Sequence, residues 1–122
     1  MLNAVRPFSD HAYGNQALRS PRDTEYDALS RVTRMIRQAD SNCQTPEAIS
    51  AVARNNELWI LLASDLAHPD NALPDDVRAG LLLLAFFSLR HGQKALAGEA
   101  TTNALIDINM SVMKGLRSGG GR

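Results

Sequence analysis

The chain reads as an all-α single domain, and three observations lead there. Apolar residues recur at spacings of three and four along four long segments, as one face of an α-helix requires. Three of the segments open on residues that suit a helix start, and two are followed by residues that stop one. No stretch shows sustained period-two alternation or an Asn-Gly or Asp-Gly hairpin signal. The expected architecture is an up-and-down-like bundle of about four main helices.

The first segment is "SPRDTEYDALSRVTRMIRQAD". Ser20 suits the N-cap and Pro21 the first helical position, while Asp23 and Glu25 favour the positive end of the helix dipole. Tyr26, Leu29, Val32, Met35, Ile36 and Ala39 form one apolar stripe, with Arg31, Arg34 and Arg37 largely off it, and the helix is expected to end near Asp40. The second segment starts at Thr45-Pro46-Glu47 and stops at His68-Pro69, since the residue before proline disfavours the helical region. Ile49, Val52, Ala53 and Ile60 share one of its faces, and from Leu58 to Ala63 it is apolar on every side. The third opens on Pro74, Asp75 and Asp76 and closes at Gly98, a suitable C-terminal cap. Its run Leu81 to Phe87 surrounds the helix, which makes it either central or partnered on its outer side.

The fourth segment spans about Thr102 to Leu116. On a helical wheel Leu105, Ile108, Val112 and Leu116 make a stripe that Ile106, Met110 and Met113 widen, and Asp107, Ser111 and Lys114 fall opposite. Asn109 falls inside the apolar arc and must find hydrogen-bond partners there. The folded bundle is expected over residues 20–117, with 118–122 a flexible Gly-rich tail and a short helix around Asp10 to Leu18. One domain, 1–122, accounts for the chain.

Charge and motifs narrow the function. Thirteen Lys and Arg balance thirteen Asp and Glu, which argues against a nucleic-acid binder driven by a global positive field. One cysteine, Cys43, allows no internal disulfide and suits a reducing compartment. The longest apolar run has seven residues, against the roughly 20 that a membrane span needs, and the start of the chain has no signal-peptide run. A cytoplasmic location is expected. His11, His68 and His91 lack metal-site spacing, Cys43 has no histidine near it in sequence, and "HPDNALPDD" lacks the EF-hand pattern and reads as a capped turn. No phosphate loop or nucleophile elbow is present. Neither catalysis, a metal nor a cofactor is expected.

The apolar surplus in "LWILLA" and "LLLLAFF" leaves two readings open. It is the core of a plain bundle, or part of it is a groove for a partner helix. Met110 and Met113 would give such a surface an adaptable edge.

Three stretches, taken in order, resemble the FlaF family of flagellar regulators: "SPRDTEYDALSRVTR" (Ser20 to Arg34), "NNELWILLASDLAHPDNALPDDVRAGLLLLA" (Asn55 to Ala85) and "LIDINMSVMKGLR" (Leu105 to Arg117). The resemblance covers roughly residues 10 to 117. It implies a non-enzymatic flagellin export chaperone that promotes flagellin production, acting beside the FlbT regulator and the export apparatus. On that reading Trp59, Leu62, Phe86, Phe87, Leu105, Ile108, Asn109 and Val112 are expected to line or support a groove for an amphipathic segment of flagellin, with Asn109 bonding a client or loop backbone group. The alternative is a helical regulator acting on flagellin mRNA through Arg22, Arg31, Arg34 and Arg37, or through a partner such as FlbT. Direct nucleic-acid binding is the less favoured reading, because few aromatics are free to stack on bases.

Overall fold

The computed structural model describes residues 21–120, with side chains described from 23 to 117. The N-cap at Ser20 and the helix around Asp10 to Leu18 lie outside the described residues. Four helices follow one another: α1 (Pro21–Gln38), α2 (Pro46–Ala67), α3 (Asp75–Leu96) and α4 (Asn103–Gly120). They form a ring in chain order. α2 packs most extensively on α3, α1 on α4 and α2, and α4 closes the ring against α3.

The helix ends follow local chemistry. Thr45 caps α2, its hydroxyl accepting from the Ala48 N–H at 3.1 Å, with Pro46 in the first turn. α2 stops at His68, which is extended (ψ 137°) before Pro69. α3 ends in a Schellman motif: Glu99 N–H donates to Lys94 C=O at 2.8 Å and Gly98 N–H to Ala95 C=O at 3.0 Å, with Gly98 at φ 78°. α4 runs on to Gly120, past the expected boundary at Arg117. Glycine weakens a helix but, unlike proline, keeps its N–H, so the ladder continues into "SGG". At the lower end of the bundle the two connecting loops meet, Thr102 N–H donating to Ser41 C=O at 2.9 Å.

The interior has two apolar clusters. Ile36, Cys43, Ala48, Ala51, Val52 and Leu105 form the lower one. Leu29, Trp59, Ala85, Ile108 and Met113 form the upper one. The stripe read on α1 is the buried one, with Leu29, Val32 and Ile36 inside and Arg31, Arg34 and Arg37 exposed. On α2 the sequence reading needs correction. Val52 is buried, but Ile49, Ala53 and Ile60 face outward, and α2 buries Ala48, Ala51, Asn55, Asn56 and Trp59 instead. Two asparagines occupy interior positions that a hydrophobic pattern assigns to solvent, and so the wheel is misread by about a quarter turn.

Removing either helix cap should be visible in urea unfolding. Gly98→Ala forces a side chain into a left-handed backbone, and Thr45→Ala leaves the start of α2 uncapped. Each is expected to lower stability by about 1 kcal/mol, as a drop in midpoint at unchanged slope.

Candidate functional site

Half-way along the bundle a polar layer separates the two clusters. On α1, Thr33 lies between Leu29 and Ile36; on α2, Asn55 lies between Val52 and Trp59; on α4, Asn109 lies between Leu105 and Met113. Asn109 is 0 % exposed and makes three side-chain hydrogen bonds. Its Oδ1 accepts from Trp59 Nε1 at 2.9 Å. Its Nδ2 donates to Asn55 Oδ1 at 2.8 Å and to Thr33 Oγ1 at 3.1 Å. The Thr33 hydroxyl in turn donates to Leu29 C=O at 2.6 Å. The indole N–H can only donate, so the amide oxygen must face Trp59 and the two amide protons must face α1 and α2. The amide's donors are fully used inside the bundle, on side chains of α1 and α2. The expectation that Asn109 bonds a client or loop backbone group is therefore corrected.

The other residues expected to line a groove divide by burial. Trp59, Leu105 and Ile108 are closed in the core. Leu62 and Val112 are half-buried against the upper cluster. Phe86 and Phe87 stand apart, 57 % and 50 % exposed. The structure thus brings six of the eight to the interior or its edge and leaves the two phenylalanines outside.

The physical reason lies in α3. Its buried residues are Ala85, Ser88, Gly92 and Ala95, all small and spaced three and four apart. This face lets α3 approach α2 closely: a methyl group on Gly92 would collide with the Asn56 Oδ1. Three bulky residues of "LLLLAFF" consequently turn the other way, while Leu84 packs on the upper cluster and Leu81 and Leu82 are half-buried. Leu83 is 69 % exposed and shares the outer face with Phe86 and Phe87. Of the two readings of that run, the central helix fails, because α3 has neighbours only in α2 and α4 among the described helices. Leu83 was not among the expected site residues. The signal for it was the small-residue spacing on the opposite side of the same helix. On α2, Ile60 and Leu61 are also exposed.

Polar details anchor this face. The Phe87 ring lies 6.2 Å from the His91 ring, centroid to centroid, and His91 Nε2 lies 2.8 Å from Thr101 C=O in the α3–α4 loop. A second apolar feature lies between α1 and α4, a shallow groove of about 520 Å³ lined by Tyr26, Met110, Ser111, Met113, Lys114 and Arg117. Arg117 closes its end, its guanidinium carbon 5.6 Å from the centre of the Tyr26 ring.

No metal-binding group of three or more His, Cys, Asp or Glu exists among the described residues. The "HPDNALPDD" turn is tied to the end of α2 and to itself: Asn71 Nδ2 donates to Asp65 C=O at 3.0 Å, and Leu73 N–H donates to Asn71 Oδ1 at 3.1 Å. Cys43 is buried, and burial, together with the Asp40 carboxylate, pushes its thiol above the ordinary value.

Three outcomes test this geometry. Asn109→Leu strands the Trp59 N–H and the Asn55 carbonyl in the core and is expected to cost about 2–4 kcal/mol, read by denaturation followed through the single tryptophan. Gly92→Ala must turn the Asn56 side chain aside and is expected to cost about 1 kcal/mol or less, because the Asn56 Oδ1 is held by no hydrogen bond and alanine gains helix propensity. The raised thiol pKa favours the neutral form of Cys43. Iodoacetamide at pH 8 should therefore label native protein far more slowly than urea-unfolded protein. By linkage, the stability tied to the buried neutral thiol is present below its unfolded pKa and lost as pH rises through the folded one.

No described helix is long and apolar enough to cross a membrane. No curated protein and no solved structure matches the chain. The family described as flagellar protein FlaF matches residues 9–116, nearly the whole length. A flagellum-related role follows from that match, and the chain belongs to the FlaF family.

Proposed function

We propose that the protein is a cytoplasmic, non-catalytic chaperone that binds an amphipathic terminal segment of flagellin and holds it ready for export. The observation that carries this is the outer face of α3, where Leu83, Phe86 and Phe87 stand in water on a rigid helix. A flagellin terminus that is unstructured before assembly would fold as a helix against such a face and hide its own apolar stripe. The cost of ordering the segment calls for large, rigid side chains at the contact, and two phenylalanines supply them. The exposed Ile60 and Leu61 offer further apolar surface on α2, and the Met110 edge of the α1–α4 groove a second approach. Regulation of flagellin synthesis, beside an FlbT-like partner and the export apparatus, follows as a consequence of client occupancy. No cofactor is needed.

A second reading, direct action on flagellin mRNA, rests on Arg22, Arg31, Arg34 and Arg37; the last three are exposed at three-residue spacing on α1, and the Arg22 side chain lies outside the described ones. Binding to purified flagellin and to its transcript leader, each at two salt concentrations, separates the two. The chaperone reading expects flagellin binding with little salt dependence. RNA binding with steep salt dependence and no flagellin binding would overturn it. The double variant Phe86→Asp/Phe87→Asp should weaken flagellin binding at least about 30-fold while stability stays within about 0.5 kcal/mol per site, because both side chains are half exposed.

A further inference from the structure

The outer face of α3 is ordered along its length by charge as well as by size. Within about 60° of Leu83 on the helical wheel lie Asp76, Ala79, Gly80, Phe86, Phe87, Arg90 and Lys94, and every one is exposed. The acid stands at the N-terminal end, small residues follow, the bulky apolar trio fills the middle, and two cations stand at the C-terminal end. Among the described residues, Asp76, Arg90 and Lys94 are in no ion pair, whereas Asp75 is already engaged by Arg78 at 3.4 Å. A Cβ added at Gly80 would meet nothing within 4 Å.

This pattern is complementary to itself when reversed. A two-fold axis crossing α3 at the level of Ala85 places each residue opposite the one equally far on the other side of Ala85. Asp76 then meets Lys94, Gly80 meets Arg90, and Leu83 meets Phe87. Asp76 and Lys94 lie about 27 Å apart along the helix, so the attraction acts at both ends of the contact and twice by symmetry. Gly80 leaves room for the long Arg90 side chain of the other copy. A shallow crossing of about 20° keeps both ends within reach, whereas a steep crossing of about 50° would separate them. The balance of thirteen cations and thirteen anions means two copies meet without net repulsion.

We infer that a second copy of this chain covers the outer face of α3, through an antiparallel α3–α3 contact with Leu83, Phe86 and Phe87 at its centre and Asp76–Lys94 pairs at its ends. A contact through one helix per copy falls at the small end of specific interfaces, so the dimer is weak and reversible. The geometry of α3 alone carries this inference. Only its consequence, that a flagellin segment must displace the second copy, rests on the chaperone reading.

Sedimentation of the full chain from about 1 µM to about 1 mM, the range in which weak contacts titrate, tests it. A monomer–dimer equilibrium is expected, abolished by Leu83→Arg. That substitution lies at a highly exposed position, so it leaves the fold intact. Asp76→Lys and Lys94→Asp should each weaken the dimer about tenfold, and the double reversal should restore it. A monomer throughout, or a dimer indifferent to Leu83→Arg, overturns the inference. Single reversals without effect, or a double reversal that does not restore association, overturn the antiparallel register. Flagellin binding measured on the double reversal separates the two ideas. Association without flagellin binding leaves the dimer standing and removes the chaperone. Flagellin binding by a strictly monomeric protein does the reverse.

Discussion

The Asn109 amide ties three helices together at one height, and the rest of the bundle is arranged around that requirement. An amide with no exposed surface gains no compensation from water, so its donors and acceptor must be met by protein. Meeting them needs Thr33, Asn55 and Trp59 at one level of α1 and α2. Sliding α4 by one turn would bring Leu105 or Met113 to that level and strand every polar partner at once. An apolar core tolerates such slips, whereas a polar layer whose central amide, that of Asn109, is fully bonded penalises them, even though the Asn55 Nδ2 within it has no partner, and fixing register is the best-attested use of buried polar groups in helical assemblies. The layer also explains why the interior is two apolar clusters and not one.

The polar layer and the exposed face of α3 are two consequences of one allocation of surface. α2 uses Asn55 to bind α4 and Asn56 to meet Gly92 on α3. α3 answers with a small-residue face, which brings the two backbones close but leaves no space for its own large side chains. Leu83, Phe86 and Phe87 are therefore displaced outward by the way the core closes. A surface apolar patch is a liability in a free monomer, and it becomes useful once something is meant to cover it. The two coverings proposed above for this face are a client helix and a second copy of the chain.

Much of this was legible beforehand. The four helices, the Thr45-Pro46 start, the His68-Pro69 stop and the Gly98 cap each follow from the chemistry of two or three neighbouring residues. The position of Asn109 inside an apolar arc also follows from the wheel alone. What misled was polarity at buried sites. Thr33, Asn55 and Asn56 look like solvent positions, since nothing local shows that their partners lie 76, 54 or 36 residues away in the chain. Trp59, Leu105 and Ile108 look available for a groove because a hydrophobic residue carries no mark of which neighbour will cover it.

The amino-acid sequence by itself determined the fold class, the order and most boundaries of the helices, and the family to which the chain belongs, because helix starts, stops and periodicity are local properties of the backbone and its nearest side chains. Only the tertiary structure decided that the Asn109 amide is spent inside the bundle and that Phe86 and Phe87 remain outside. Those outcomes depend on which faces of different helices meet and how closely they approach. The small side chains at Ser88 and Gly92 settle that approach on α3, and their effect appears only once α2 lies against them.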